Sequence, residues 1–248
     1  YLFPADGHLV KGSINIDNKD YLFSAEGSML TDWQTVNGLK FYYNPADGAM
    51  VRGWLGDIAN RYYLSPVDGH MVTGYQNIEN ANYYFNENGV MQTGMVQIAD
   101  GTFYFDPTTG AQQTGFIGDM TNRYYFNTAD GRMVTGVQTI NDQTYCFDGN
   151  GKMTVGWQNI GGANFYFNPA DGSMVKGLIQ GPDGVYGTSE ADGHQLVNEA
   201  AVIAGVARCF GGDGKLVINA PYTIGEAVYI CDANGVAVPV TPPAPAAQ

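Results

Sequence analysis

The stretch Gly156-Trp157-Gln158-Asn159-Ile160-Gly161-Gly162-Ala163-Asn164-Phe165-Tyr166-Phe167-Asn168-Pro169-Ala170-Asp171-Gly172-Ser173-Met174-Val175-Lys176-Gly177 decides the fold. It holds two short apolar runs of period two, joined by Gly161-Gly162, then a tight Asn-Pro-Ala-Asp-Gly turn and an exit through Met174. Gly-Gly and Asp-Gly between alternating segments mark hairpin turns, because such turns need positive φ. Glycine every few residues and the aromatic enrichment exclude helix.

The same unit fills the chain. Its turn glycine recurs at Gly7, Gly27, Gly48, Gly69, Gly89, Gly110, Gly131, Gly151, Gly172, Gly193, Gly214 and Gly235, in steps of 20 or 21 residues. Such a period is the mark of a repeat architecture. The expectation is an all-β solenoid of stacked two-stranded β-hairpins. Residues 1–177 would form regular repeats, 178–238 divergent C-terminal capping repeats, and 239–248 a Pro-rich linker. Asn198–Gly205 is open to one helical turn. A longer period overlies the short one. Gly53–Gly74 and Gly115–Gly136 lie 62 residues apart and match at 13 of 22 positions. A solenoid with about three hairpins per turn would leave that period, and so would duplication of a three-hairpin block. The chain opens within a repeat, at Tyr1–Gly7, which predicts that it continues a longer protein.

Composition narrows the function. Of 248 residues, 24 are acidic and 11 basic, a formal charge of −13 that disfavours nucleic acid and anionic lipid surfaces. No apolar run has the roughly 18 residues of a membrane helix. The expected setting is extracellular, secreted or cell-surface associated, with no direct membrane insertion. Cys209 and Cys231 occupy near-equivalent places in successive repeats, compatible with a disulfide or with two buried thiols; Cys146 is the third cysteine.

Strand alternation sorts the aromatic residues. Phe41/Tyr43, Tyr62/Leu64, Tyr83/Phe85, Phe103/Phe105, Tyr124/Phe126, Tyr145/Phe147 and Phe165/Phe167 share the face assigned to the core. Tyr42, Tyr63, Tyr84, Tyr125 and Tyr166 fall on the opposite face. Trp33, Trp54, Tyr75, Phe116 and Trp157 open their repeats. These ten rings are the candidate ligand-binding residues, with Trp33/Tyr42/Trp54 as the best groove. Flat rings beside Asn, Gln and Asp suit sugars, and also quaternary ammonium groups through cation–π attraction. Rings that merely weld hairpins together would look the same, and Met95, Val137 and Leu178 leave gaps in the opening column. His8, His70, Arg132 and His194 each follow a turn glycine at 62-residue steps and read as exposed turn residues. No catalytic constellation, metal site or cofactor motif is expected, since the carboxylates sit in Asp-Gly turns that Asp favours for local reasons.

The pattern Gly-Trp-Gln-x-Ile-x-Gly-x-x-Tyr-Tyr-Phe-x-x-x-Gly-x-Met-x-x-Gly, best kept at Gly74–Gly94 and Gly156–Gly177, resembles the cell-wall-binding repeat superfamily. That superfamily includes choline-binding modules, glucan-binding repeats of glucansucrases and receptor-binding repeats of clostridial toxins. The resemblance implies a left-handed hairpin solenoid that binds a polysaccharide, a cell-surface glycan or a choline-decorated cell wall. One departure matters. Choline-binding repeats place a second tryptophan before the tyrosine pair, where this chain has Lys40, Arg61, Asn82, Thr102, Arg123, Thr144 and Asn164. The resemblance therefore leans toward glucan- and toxin-type repeats. A ligand-free spacer or stalk is the rival from another class.

Overall fold

The computed structural model describes residues 7–99 and 101–240. Among them there is no helix, and the strands pair only as small antiparallel sheets of two or three strands. Eleven hairpins follow in sequence order, at 12–23, 32–43, 53–64, 74–85, 94–105, 115–126, 136–147, 156–167, 177–188, 199–210 and 220–231. Most turn on two residues, both at positive φ, such as Asn37 and Gly38 (52° and 82°) or Gly161 and Gly162 (62° and 90°). Turns of this hand match the twist of the flanking strands. The hairpins at 53–64 and 115–126 instead have three-residue strands, Gly53–Leu55 with Tyr62–Leu64 and Gly115–Ile117 with Tyr124–Phe126. Their wider turns are held by Asp57 and Asp119, each accepting backbone N–H bonds from the residues two and three further on. The 62-residue period is thus a recurrence of structure as well as of sequence.

Two units cluster in space. One contains the described residues up to Gly115 with Phe126–Met133; the other contains Phe116–Tyr125 and the described residues from Val134. Each is a β-hairpin solenoid built by one rule. The tail that follows each hairpin reaches back to the second strand of the hairpin before it. In the first unit Met50, Met71 and Met91 donate backbone N–H bonds to the carbonyls of Asp20, Lys40 and Arg61, at 2.7–2.8 Å. In the second, Met153, Met174 and Gln195 do the same to Arg123, Thr144 and Asn164 at 2.7 Å. Stacking in sequence order is therefore fixed by main-chain hydrogen bonds, while side chains supply the burial.

The innermost side chain of each hairpin is the last residue of its second strand. Leu64, Phe85, Phe105, Phe126, Phe167 and Phe210 are fully buried, and Tyr43, Phe147 and Cys231 nearly so. The core is a series of small clusters, for example Ile78, Phe85 and Met91 in the first unit and Ile140, Phe147 and Met153 in the second. At 177–188 the aromatic residue is replaced by Thr188, whose buried hydroxyl donates to the Val175 carbonyl at 2.9 Å and accepts from the Gly177 N–H at 3.0 Å. Both needs of the hydroxyl are met, which a buried polar group requires.

The turn glycines have two jobs. Gly69 sits at φ 83°, and a methyl group there would overlap the sulfur of Met50 from the preceding tail. Gly53 has a similar φ, 79°, but open space where a methyl would go. Gly53→Ala should therefore cost only the left-handed backbone strain, about 1–2 kcal/mol. Gly69→Ala adds displacement of Met50 and should cost about 1 kcal/mol more. Urea midpoints of the two variants check this, and equal midpoints would remove the packing role of the glycine.

Two expectations need correction. Asn198–Gly205 is not helical: Glu199–Ile203 is a strand paired with Val206–Phe210, and Ala204 and Gly205 form the two-residue turn at φ 50° and 75°. Pairing of this run with Val206–Phe210, and burial of Ile203, outweigh the helix propensity of its alanines. In addition, the face assigned to the core is only half core. Phe41, Tyr62, Tyr83, Tyr124, Tyr145 and Phe165 remain half-buried, because they stand one step nearer the outer edge than the fully buried residue two places on. The three cysteines are buried free thiols, and Cys209 and Cys231 share one cluster with Ala237. Burial, with the Cys231 thiol alongside, pushes the Cys209 thiol up to about 12. The frame of the repeat continues through 220–231, where Ala237–Pro239 adds a third strand. The Pro-rich tail from Thr241 onward, like Tyr1–Asp6, lies outside the described residues.

Candidate functional site

Antiparallel register places each opening aromatic opposite the tyrosine that is next to last in its hairpin's second strand: Trp33 opposite Tyr42, Trp54 opposite Tyr63, Tyr75 opposite Tyr84 and Trp157 opposite Tyr166. Directly opposed side chains on one face are in contact. The ring centroids are 5.2, 5.0, 6.4 and 5.0 Å apart, and Phe116 lies 4.8 Å from Tyr125. The ten candidate rings therefore come together as five pairs.

A third ring completes each pair, and it comes from the next hairpin. Trp33 meets Tyr62 at 5.0 Å, Trp54 meets Tyr83 at 4.9 Å, and Tyr75 meets Phe103 at 6.1 Å. In the second unit Phe116 meets Tyr145 at 5.1 Å and Trp157 meets Tyr186 at 5.9 Å. The groove expected from Trp33, Tyr42 and Trp54 is thus formed by Trp33, Tyr42 and Tyr62. Each hairpin turns its second strand toward the opening aromatic of its predecessor, so Trp54 serves the following trio. The ring pairs are T-shaped, apart from the more tilted Tyr75–Tyr84, and present edges and faces at a corner. Trp33, Tyr75 and Trp157 are the open members, at 36%, 42% and 37% exposure, whereas Trp54 and Phe116 are half-buried.

The residue two places before the paired tyrosine decides what lies beside each ring. At Trp54 it is Arg61, whose guanidinium carbon stands 4.2 Å over the ring centroid. At Phe116 it is Arg123, at 4.5 Å. At Trp33 it is the exposed Lys40, in a cleft of about 330 Å³ shared with Thr35, Tyr62, Met71 and Asn88. The other two trios carry amides. Beside Tyr75, Asn77 Nδ2 donates to Asn82 Oδ1 at 2.7 Å, and Asn82 Nδ2 donates to Gln112 Oε1 at 3.2 Å. Burial raises the Tyr75 phenol above its usual value, and its hydroxyl donates to the same Gln112 oxygen. These groups open on a cleft of about 430 Å³ rimmed by Thr114, Asp130 and Arg132. Beside Trp157 the same ladder recurs: Asn159 Nδ2 to Asn164 Oδ1 at 2.9 Å, then Asn164 Nδ2 to Gln195 Oε1 at 3.0 Å.

The sequence held a signal for these ladders that strand alternation missed. Gln112 and Gln195 interrupt the column of tail methionines Met50, Met71, Met91, Met133, Met153 and Met174. They do so only where the preceding hairpin carries Asn at the deciding place, Asn82 or Asn164. The two polar partners occur together.

The turn carboxylates are engaged locally. Hydrogen bonds from Ser65 and His70 hold the Asp68 carboxyl at about 2, and backbone N–H groups of Thr109 and Thr108 hold Asp106 below the usual range. No cluster of three or more His, Cys, Asp or Glu able to hold a metal exists among the described residues. Of the regularly spaced turn residues, His8 and Arg132 are exposed, whereas His70 and His194 are half-buried. Both histidines hydrogen-bond the Asp two residues before through Nδ1, at 2.6 Å.

His194 does more. Its Nε2 lies 3.3 Å from Glu199 Oε2, which links the tail of one hairpin to the first strand of the next. The bond to Asp192, then that to Glu199, raises His194 above its usual 6.5, while Asp192 is held at about 2 against 3.8. A raised histidine stabilises fully below its unfolded pKa and loses that contribution as pH rises through the folded value. A depressed carboxyl stabilises above 3.8 and loses the effect as pH falls toward 2. The joint should hold best between about pH 4 and 6.5 and weaken on both sides. His194→Gln should flatten this dependence in thermal melts followed against pH, and an unchanged profile would exclude the joint.

Stacked hairpins that expose repeated aromatic corners define a class, the cell-wall-binding repeat solenoids. The sequence profile of the choline-binding repeat matches residues 30–74, 72–115 and 154–199, a little over half of the chain. The protein belongs to the choline-binding repeat family. Solved structures share the fold. CbpJ from Streptococcus pneumoniae TIGR4 has 22% identity and TM-score 0.64 over 84% of this chain and 94% of that one. Choline binding protein F from Streptococcus pneumoniae has 21% identity and TM-score 0.59, over 86% and 94%. The modular autolysin LytC from Streptococcus pneumoniae, solved with a synthetic peptidoglycan ligand, has 19% identity and TM-score 0.60, over 92% of this chain and 52% of that one. A comparison with curated proteins gave no match.

Proposed function

We propose that the chain is a non-catalytic, extracellular binding module that holds a cell-surface glycan through the aromatic trios on its hairpins. The observation that carries this reading is the amide ladder beside two of the three open rings, Tyr75 and Trp157. A ring face packs on the C–H side of a pyranose, and adjacent amides exchange donors and acceptors with its hydroxyls. Gln112 and Gln195 each have donor capacity left at Nε2 after accepting on Oε1. The formal charge of −13 disfavours polyanionic ligands and leaves neutral glycans as the better match.

Family membership favours a second reading, a choline-bearing cell wall as target, at the Trp33/Tyr42/Tyr62 trio, where Met71 lines the cleft. A glycan array that includes choline-bearing teichoic acid, run at low and high salt, separates the two. Sugar stacking is little screened, so glycan binding should survive high salt and excess free choline. Displacement by choline would transfer the assignment to the second reading. Absence of binding to every array member would leave a spacer.

A further inference from the structure

We infer that Arg61 and Arg123 are built-in occupants of two of the aromatic sites, closing to quaternary ammonium ligands the rings that would otherwise take them. The inference rests on the reading that the trios are ligand surface, and it assigns two residues that set which ligand each trio accepts.

Three features lead to it. Each guanidinium lies over a ring face, 4.2 Å from the Trp54 centroid and 4.5 Å from that of Phe116, well inside the roughly 6 Å reach of cation–π attraction. A second and third ring stand at the same corners: Tyr63 and Tyr83 lie 5.0 and 4.9 Å from Trp54, Tyr125 and Tyr145 lie 4.8 and 5.1 Å from Phe116. Clustered ring faces are the surroundings that favour a quaternary ammonium.

The third feature is what the arginines lack. In a chain with 24 acidic residues against 11 basic, neither guanidinium forms an ion pair among the described residues. Asp171 is lowered slightly by Arg123 through space, behind its bonds to Ser173. Arg123 Nε is buried with no hydrogen-bond partner, and Nη1 reaches only the Met120 sulfur at 3.2 Å. The ring is therefore the principal partner of each charge. Both arginines occupy the same place in hairpins 62 residues apart, with the same shortened strands. At the open rings Tyr75 and Trp157 the equivalent residues are Asn82 and Asn164, which bond Gln112 and Gln195 and carry no charge.

A tethered cation competes with a free one for a single face. If the stacked state holds nine-tenths of the molecules, a ligand that needs the face binds about tenfold more weakly than to the uncovered ring. The chain has three tryptophans, so Trp54 can be followed by its own indole N–H resonance during a choline titration, apart from those of Trp33 and Trp157. In Arg61→Gln the Trp54 signal should saturate at about tenfold lower choline than in the wild type, and Arg61→Lys, which keeps a cation, should stay near the wild type. Equal titration of Trp54 in the wild type and Arg61→Gln would overturn the inference. So would a motionless Trp54 signal in an Arg61→Gln protein that melts like the wild type. Should that variant unfold, Arg123→Gln gives the same comparison on the Phe116 ring signals. Glycan binding by the wild type is scored separately on the array, so failure of the glycan reading leaves the Trp54 result interpretable.

Discussion

Phe85→Ala should lower the unfolding free energy by about 3–5 kcal/mol, the range for emptying a fully buried aromatic site. Phe85 has no exposed surface and packs with Ile78 and Met91, against which Trp54, Tyr63, Val72 and Tyr83 lean. Its ring also lies 6.1 Å from that of Trp54. A single hairpin is marginal alone and gains its stability from its neighbours. The loss should therefore spread to the hairpins at 53–64 and 94–105. Urea unfolding followed by tryptophan fluorescence measures the size, and hydrogen exchange measures the spread. Tyr84→Ala removes an aromatic residue one place earlier that is only half-buried, and should cost about 1–2 kcal/mol. Equal losses for the two variants would mean that the alternation of inner and outer faces is wrong.

That contrast shows what the sequence could disclose. The turn glycines, the paired strands and the inward Phe85 class follow from local rules, namely positive φ and period two, which a single repeat already displays. The third ring of each trio does not. Tyr62 and Trp33 meet only because Met71 bonds back to Lys40, an arrangement between hairpins on which no one repeat bears. Alternation gave Tyr62 and Leu64 the same face correctly, but could not tell that Leu64 is buried while Tyr62 stands at the mouth. The place occupied by Arg61 was visible as a departure from the resembling family; its seat over Trp54 was not. The strand at Glu199–Ile203 was hidden by its alanines, although Ala204-Gly205 held the turn.

Tyr75→Ala and Trp157→Ala should each weaken binding to a polymeric glycan about tenfold, and the double variant about a hundredfold or more. The two rings belong to separate trios, each with its own amide ladder, so their losses should multiply when one polymer engages both. Shallow corners bury little of a ligand, and each trio alone should bind a short oligosaccharide only weakly. The same substitutions should therefore change oligosaccharide binding at one site and leave the other untouched. Gln112→Met and Gln195→Met restore the residue that other tails carry, and test the amides without removing a ring. Loss of a hydrogen-bonded amide should reduce affinity about three- to tenfold, less than loss of the ring. His70→Ala is the control, since His70 bonds Asp68 in a turn outside both trios. Surface plasmon resonance on immobilised polysaccharide, with circular dichroism to confirm folding, reads all six variants. Comparable weakening by His70→Ala, or no weakening by the double variant, would favour the spacer reading over the glycan reading while leaving the solenoid unchanged.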